Sequence, residues 1–367
     1  MFRGIEICNI PVQFPATSSR FGDIIPRHPV HRRNPKTSFF LRGTAAENSN
    51  LTDASASEFP NRMFIMGMGF VGQYFAEELR NRGWTVCGSC TNHVKKKKFE
   101  EMGFDVHLFD ANEPEVEILN VLNHHSHLLV TIPPLVGIGD PLLQYEELVK
   151  STLMVGNLKW LCYLSSTGVY GNCGGAWVDE DYPASPTDEK ARARLAAEEG
   201  WLKLGYGLGI STQIFRLGGI YGPGRSAVDT IIKREPLSKM QRIRASRQYT
   251  SRVHVADICQ ALWASIYKPC QGKIYNVVDD EPAPRLRVFS YAWDLVDRKW
   301  PGHLDQTAFP RTEKWISDET HSRAEKRVSN ARIKEELGIR LLHPDYKSGL
   351  KSIIDHMDDP FCRLNLS

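Results

Sequence analysis

Residues 62–90 read "RMFIMGMGFVGQYFAEELRNRGWTVCGSC". Met63 to Met66 form an apolar run of strand length. Gly67, Gly69 and Gly72 then give the spacing GxGxxG. In "QYFAEELRNRG" Phe75 and Leu79 are four apart, which places them on one helix face, and Gly83 ends the helix. "WTVCGSC" predicts a second strand. A GxGxxG flanked by strand and helix within a βαβ unit of about 30 residues is a dinucleotide-binding signature. Gly67 permits the tight turn, Gly69 lets backbone approach a pyrophosphate, and Gly72 lets the helix pack close to the strand. The helix start, with Phe70 and Val71, offers free N–H groups and a positive dipole end to the phosphates.

The alternation continues downstream. "FDVHLFD" (104–110), "HLLVTIPP" (127–134), "KWLCYLSS" (159–166) and "STQIFRLGGIYG" (211–222) read as further strands with helical segments between them. Near-continuous apolar runs suit strands buried on both faces. The predicted fold class is therefore α/β, a doubly wound parallel sheet of the NAD(P)-binding Rossmann type. In such sheets ligands lie at the carboxyl ends of the strands. An acid at the end of the second strand would bind the ribose 2′-OH of NAD. This chain has Ser89, Cys90, Thr91 and Asn92 there, followed by Lys95 to Lys98. Thr91 and Asn92 beside positive charge favour the 2′-phosphate of NADP, with NAD left open. Asp110, closing the third strand, joins the candidate cofactor contacts.

Composition narrows the classes. The 367 residues are 41% hydrophobic and 24% charged with a net charge of +3, as in a soluble globular protein. Near-balanced charge argues against a nucleic-acid binder, and no apolar run approaches the ~18 residues of a membrane span. Eight cysteines in this length do not form a disulfide framework. Cys87 and Cys90 form a CxxC inside a strand-like run, which reads as buried and structural, with a redox role left open. "HHSH" (124–127) precedes a buried strand and lacks a partner cluster, so no metal is expected. Residues 1–60 carry Arg3, Arg20, Arg27, Arg32, Arg33, Lys36 and Arg42 against Glu6 and Asp23 before position 47. They have no secretory apolar core. This reads as an organellar transit peptide and linker, for the chloroplast stroma or alternatively the mitochondrion. The expected organisation is a Rossmann domain over 61–280, with 222–250 contributing to a substrate lobe, and a C-terminal lobe over 281–367. A homodimer is left open.

Several motifs resemble the extended short-chain dehydrogenase/reductase family, the NAD-dependent epimerase/dehydratase group. These are "SSTGVYG" (165–171), "WVDEDYPASP" (177–186), "FRLGGIYGPGR" (215–225), "SRVHVADICQAL" (251–262) and "YNVVDDEPAP" (275–284). The resemblance spans about 62–350. It implies that Ser166 is the catalytic hydroxyl that hydrogen-bonds a substrate carbonyl or hydroxyl. It also implies that Pro133 lines the cofactor site and that Leu217 to Ile220 pass near the nicotinamide. The loop is a variant, since Met66 stands where the family's first glycine falls.

The active-site helix departs from the family. In "SPTDEKARARLAAEE" (185–199) the Tyr slot holds Lys190 and the Lys slot holds Arg194. The expected helix start has Ser185 as N-cap, Pro186 at N1 and Asp188 at N3. Lys190 could donate a proton if burial depressed its pKa, or it could be a solvated residue. Arg194 could reach the cofactor ribose, or pair with Glu198 at the surface. Tyr170 is a weaker candidate acid. Retention of the loop with loss of the Tyr-x-x-x-Lys pair resembles the family's atypical subgroup. Two functions follow: an NADP-dependent oxidoreductase or epimerase/dehydratase, or a non-catalytic dinucleotide-binding sensor or scaffold. Arg225, Lys233, Arg234, Lys239, Arg242, Arg244, Arg247 and Arg252 outnumber Asp229 and Glu235, which would suit an anionic small-molecule substrate.

Overall fold

The computed structural model describes residues 61–114, 117–234, 247–304 and 325–361. The transit-peptide reading of residues 1–60 lies outside them, as do Glu235, Lys239, Arg242 and Arg244. The described residues belong to one compact unit.

Seven parallel strands form the central sheet: β1 (Arg62–Met66), β2 (Thr85–Cys90), β3 (Asp105–Leu108), β4 (His127–Val130), β5 (Trp160–Ser166), β7 (Ser211–Leu217) and β10 (Lys273–Val277). Their order is β3-β2-β1-β4-β5-β7-β10. The order reverses between β1 and β4, which makes their carboxyl ends the switch point where a ligand crevice forms. Two short parallel pairs lie outside the sheet. β6 (Trp177–Val178) pairs with β11 (Arg327–Val328), and β8 (Gly219–Tyr221) with β9 (Arg252–His254). The single strand expected over 211–222 is thus two, broken at Gly218. A Cβ there would lie 3.0 Å from the Arg252 backbone, so the chain turns where only glycine fits.

Each strand feeds two cores because successive side chains point to opposite faces. On one face Met63, Ile65, Cys90, Cys162, Leu164 and Phe215 pack against α1 (Phe70–Asn81), α2 (His93–Glu101) and α7 (Val255–Tyr267). On the other, Phe64, Met66, Cys87, Leu161, Tyr163 and Ile214 pack against α3 (Ile118–Leu122), α4 (Glu146–Val155) and α5 (Glu189–Leu208). Cys87 and Cys90 are an odd number of residues apart in one strand. They therefore sit in different cores, which removes the CxxC as a disulfide pair.

The lobe has its own apolar cluster, formed by Tyr221, α6 (Ala227–Lys233), α8 (Arg285–Lys299) and α10 (Tyr346–Asp355). It takes in α6 from the 222–250 stretch together with parts of 281–367. Between α8 and α10 the chain returns to the sheet, where Ile333 and Leu337 of α9 (Ala331–Leu337) join the first core. The reason is the apolar stripe of α9, with Ile333 and Leu337 four apart, ended by Gly338 at φ 72°. Among the described residues no helix is long and apolar enough to cross a membrane.

One buried polar knot ties α5 to the sheet. Arg216 on β7 donates from Nε and Nη2 to the Glu198 carboxylate at 2.7–3.2 Å, and Ser165 Oγ donates to the same carboxylate. Glu198 is 1% exposed. Replacing Glu198 by Ala leaves a buried guanidinium unpaired. It should cost about 3–5 kcal/mol, read as a lowered urea midpoint. His127 packs edge-on against Trp84, with ring centroids 4.8 Å apart. Burial, together with the nearby Lys159 charge, holds its imidazole down to about 4. Its folded pKa lies below the unfolded value, so its contribution is present above about pH 6.5 and is lost as pH falls through about 4. The fall in urea midpoint across that window should be shallower in His127→Phe.

Candidate functional site

The loop after β1 is held from both sides. Gly67 N donates to Ser89 Oγ on β2 (3.0 Å), and Met68 N donates to Ser89 O (2.7 Å). Thr131, just beyond β4, donates from Oγ1 to Gly67 O (2.6 Å). Gly67 has φ +105°, and an added Cβ would lie 2.6 Å from Thr131 Oγ1. Gly72 carries no Cβ because one would lie 2.4 Å from Gly67 O. Gly69 differs from both. Its backbone is extended as the N-cap of α1, and an added Cβ would meet nothing within 4 Å. The fold needs glycine at 67 and 72, whereas position 69 borders open space in front of the first N–H groups of α1. That is the opening a pyrophosphate requires, so the residues present fit a dinucleotide. The sequence reading missed the bracing role of Ser89 and Thr131. The available signal was a small hydroxyl residue near the carboxyl end of an otherwise apolar strand.

At the end of β2, Asn92 caps α2 by accepting from Lys95 N (2.9 Å). This turns the Lys95 side chain back onto Thr91, with Nζ 3.4 Å from its Oγ1. Both residues are exposed. A hydroxyl and an ammonium therefore meet at the end of β2, and no carboxylate stands among Ser89 to Asn92. Lys96 is instead paired with Glu100 (3.7 Å). Asp110 is exposed and accepts from Asn112 N and Nδ2 (2.9 and 2.8 Å), bonds that hold its carboxyl below the usual range. Pro133 is exposed two residues after Thr131. Phe70 stacks edge-on with Tyr74 (5.1 Å), and the Arg225 guanidinium lies 5.3 Å from the Phe70 ring centroid. The loop from Gly222 to Arg225 therefore rests on the nucleotide-loop helix. It brings one exposed cation of the basic segment to the start of α1.

Ser166 ends β5, half-buried, between the ends of β4 and β7. Its Oγ accepts from Gly168 N (3.1 Å) and makes no other hydrogen bond among the described residues. The neighbouring candidates are not gathered around it. Helix α5 begins at Glu189, capped by Asp188, whose carboxylate accepts from Ala191 N (2.8 Å). The Ser185 cap expected from the sequence does not form. Ser185 is instead packed against Gly171, its O lying 2.1 Å from where a Cβ of Gly171 would be. Lys190, in the first turn, is exposed. No burial acts on it to make it a proton donor. Arg194 is half-buried beside the Tyr163 phenol, where its charge opposes the burial that pushes that phenol up. The alternative surface pair of Arg194 with Glu198 is also absent, because Glu198 is buried against Arg216.

Tyr170 does not border the crevice. It is 1% exposed, donates to Asn276 Oδ1 (2.9 Å) and lies under the Arg216 guanidinium at 4.8 Å. Burial pushes its phenol up despite Arg216, the wrong direction for an acid at neutral pH. Arg252 is likewise no substrate ligand. It is 8% exposed and donates to the Thr250 and Ala283 carbonyls at 2.9 and 2.7 Å. Arg247 pairs with Glu325 (3.0 Å).

Comparison with known proteins agrees with this geometry. Residues 145–278 match the NAD dependent epimerase/dehydratase family. The chain is 31% identical over 224 residues to Protein YeeZ of Escherichia coli (strain K12), covering 59% of this chain and 77% of that protein. It is similar to the structure of a functionally unknown conserved protein from Silicibacter pomeroyi DSS, with a TM-score of 0.62 and 31% identity over 80% of this chain and 98% of that one. It shares its fold with UDP-glucuronic acid 4-epimerase from Bacillus cereus in complex with NAD, with a TM-score of 0.59 and 15% identity over 80% of this chain and 96% of that one.

Gly72→Ala should force α1 away from the loop. That overpacking should cost about 1–3 kcal/mol of stability and should lower dinucleotide affinity, measured by urea titration and nicotinamide fluorescence on the same sample.

Proposed function

The chain belongs to the NAD-dependent epimerase/dehydratase family, and from that premise we propose that it binds NADP(H) and carries out oxidoreductase or epimerase/dehydratase chemistry on a small anionic molecule. The observation that carries the cofactor choice is the end of β2, where Thr91 and Lys95 meet with no acid beside them. A 2′-phosphate would be held there by the ammonium and the hydroxyl, and a pyrophosphate by the opening at Gly69. When bound, a nicotinamide would supply hydride exchange with an oxygen-bearing carbon. Ser166 would hydrogen-bond the substrate oxygen through its hydroxyl and fix its position. With Lys190 in solvent and Tyr170 in the core, the proton exchanged at that oxygen would come from water reaching the half-exposed end of β5. The Arg225 cation at the start of α1 favours a phosphorylated or nucleotide-linked substrate.

The exposure of Lys190 supports a second reading, a dinucleotide-binding sensor or scaffold without chemistry. Ser166→Ala separates the two. The variant should keep cofactor binding, and it should abolish any NADPH turnover that the wild type shows against a panel of nucleotide-linked sugars. Absence of turnover in the wild type would favour the sensor.

The cofactor reading is tested by titrating the full chain with NADPH and NADH and following nicotinamide fluorescence. NADPH should bind about tenfold more tightly or better, the ~1.4 kcal/mol of one charge-assisted contact. Lys95→Glu should erase that preference. Gly69→Asp has room for its side chain, so it should fold normally and lose both nucleotides. Tighter binding of NADH would overturn the NADP assignment, and binding of neither would overturn the site.

A further inference from the structure

Midway along β2 and towards its carboxyl end, three side chains of different donor chemistry converge where β2 meets β3, with His107 paired across from Ser89. Cys87 and Asp105 are register partners across the two strands. His107 lies two residues beyond Asp105, so the strand period puts it on the same face. Cys87 Sγ is 3.6 Å from Asp105 Oδ2, and His107 Nε2 is 3.7 Å from Asp105 Oδ1. One ligand atom from each of the three lies within 4.8 Å of the others.

We propose that Cys87, Asp105 and His107 form a binding site for a zinc-class divalent cation. Ligands at zinc's usual distances, about 2.3 Å for sulfur and about 2.0–2.1 Å for nitrogen and oxygen, stand roughly 3.3–3.5 Å apart in a tetrahedron. The Cys87–Asp105 and Asp105–His107 separations need to contract by only a few tenths of an ångström, and the Cys87 and His107 donors lie within 4.8 Å of each other. Thiolate, imidazole and carboxylate together select zinc or cobalt over magnesium or calcium. A second observation points to a ligand. His107 Nε2 is shielded from solvent and has no hydrogen-bond partner, with the Asp105 carboxylate just too far to serve as one. Its ring lies 6.3 Å from that of Phe64 on β1. The thiol is buried, with Cys87 3% exposed, while the Asp105 side chain is 76% exposed. Solvent therefore reaches the cluster from one side and supplies the fourth ligand, the open arrangement of three protein donors plus water. Burial and the neighbouring Asp105 carboxylate push the Cys87 thiol up to about 12, with Arg62 opposing them, so the thiol gives up its proton as the cation binds.

The test is a titration of the chelator-treated full chain with Co²⁺ under reducing conditions, followed by back-titration with Zn²⁺. The expected result is one equivalent of Co²⁺ giving a thiolate-to-cobalt charge-transfer band and intense tetrahedral d–d bands, both discharged by Zn²⁺. Cys87→Ser should remove the charge-transfer band. His107→Asn should collapse the d–d intensity. Asp105→Asn alters only an exposed side chain, keeps the fold, and should weaken binding while retaining the thiolate band. Nicotinamide titration of each variant reports whether the sheet is intact, and binding there should be unchanged. No thiolate band at one equivalent, or a band that persists in Cys87→Ser, overturns the proposal.

Discussion

A carboxylate that cannot reach water organises the centre of this molecule. Glu198 leaves solvent on α5 and meets Arg216 of β7 and Ser165 of β5 inside the core. Burial works against the Arg216 charge, but the Glu198 carboxylate more than offsets it, so the guanidinium pKa is raised. The arginine then lies over Tyr170, whose hydroxyl reaches Asn276 on β10. The Asn276 N–H in turn donates to Glu180 (2.7 Å). Three adjacent strands and one helix are thus fixed by directional bonds immediately before β5 ends at Ser166. A buried ion pair contributes little net stability compared with well-packed apolar residues. Its contribution here is orientation.

That knot also holds α5 in place against the sheet. Ala197 and Trp201 seat α5 against the sheet, and Trp201 Nε1 donates to Asp140 (2.9 Å). Lys190 is exposed and takes no part in this anchoring, whereas Arg194 sets its charge beside the Tyr163 phenol of β5.

The sheet was legible because its determinants are local. Strands buried on both faces must be apolar throughout, and a phosphate-binding turn must have its glycines at fixed offsets. The start of α5 was misread because Ser185 and Asp188 are both good caps. The choice between them is made by Gly171, which packs against the 185–187 segment from fourteen or more residues upstream. Tyr170 was misread for a related reason. A phenol four residues after a candidate serine reads the same whether it points into a crevice or into Asn276, and that partner lies 106 positions away. Ser89 and Thr131 illustrate a third limit. Their value lies in bracing a backbone, and a small hydroxyl at the end of an apolar strand marks that duty only faintly.

The C-terminal segment has a consequence of a different kind. The chain leaves the sheet for the lobe at α8, returns to cover the sheet with α9, and leaves again for the lobe with α10. The lobe is therefore stitched to the sheet by repeated crossings rather than hung from one hinge. A body sewn on in this way resists swinging open as a lid. Helices α9 and α10 form a seam shared by the lobe and the sheet, and their removal would unpick the two together.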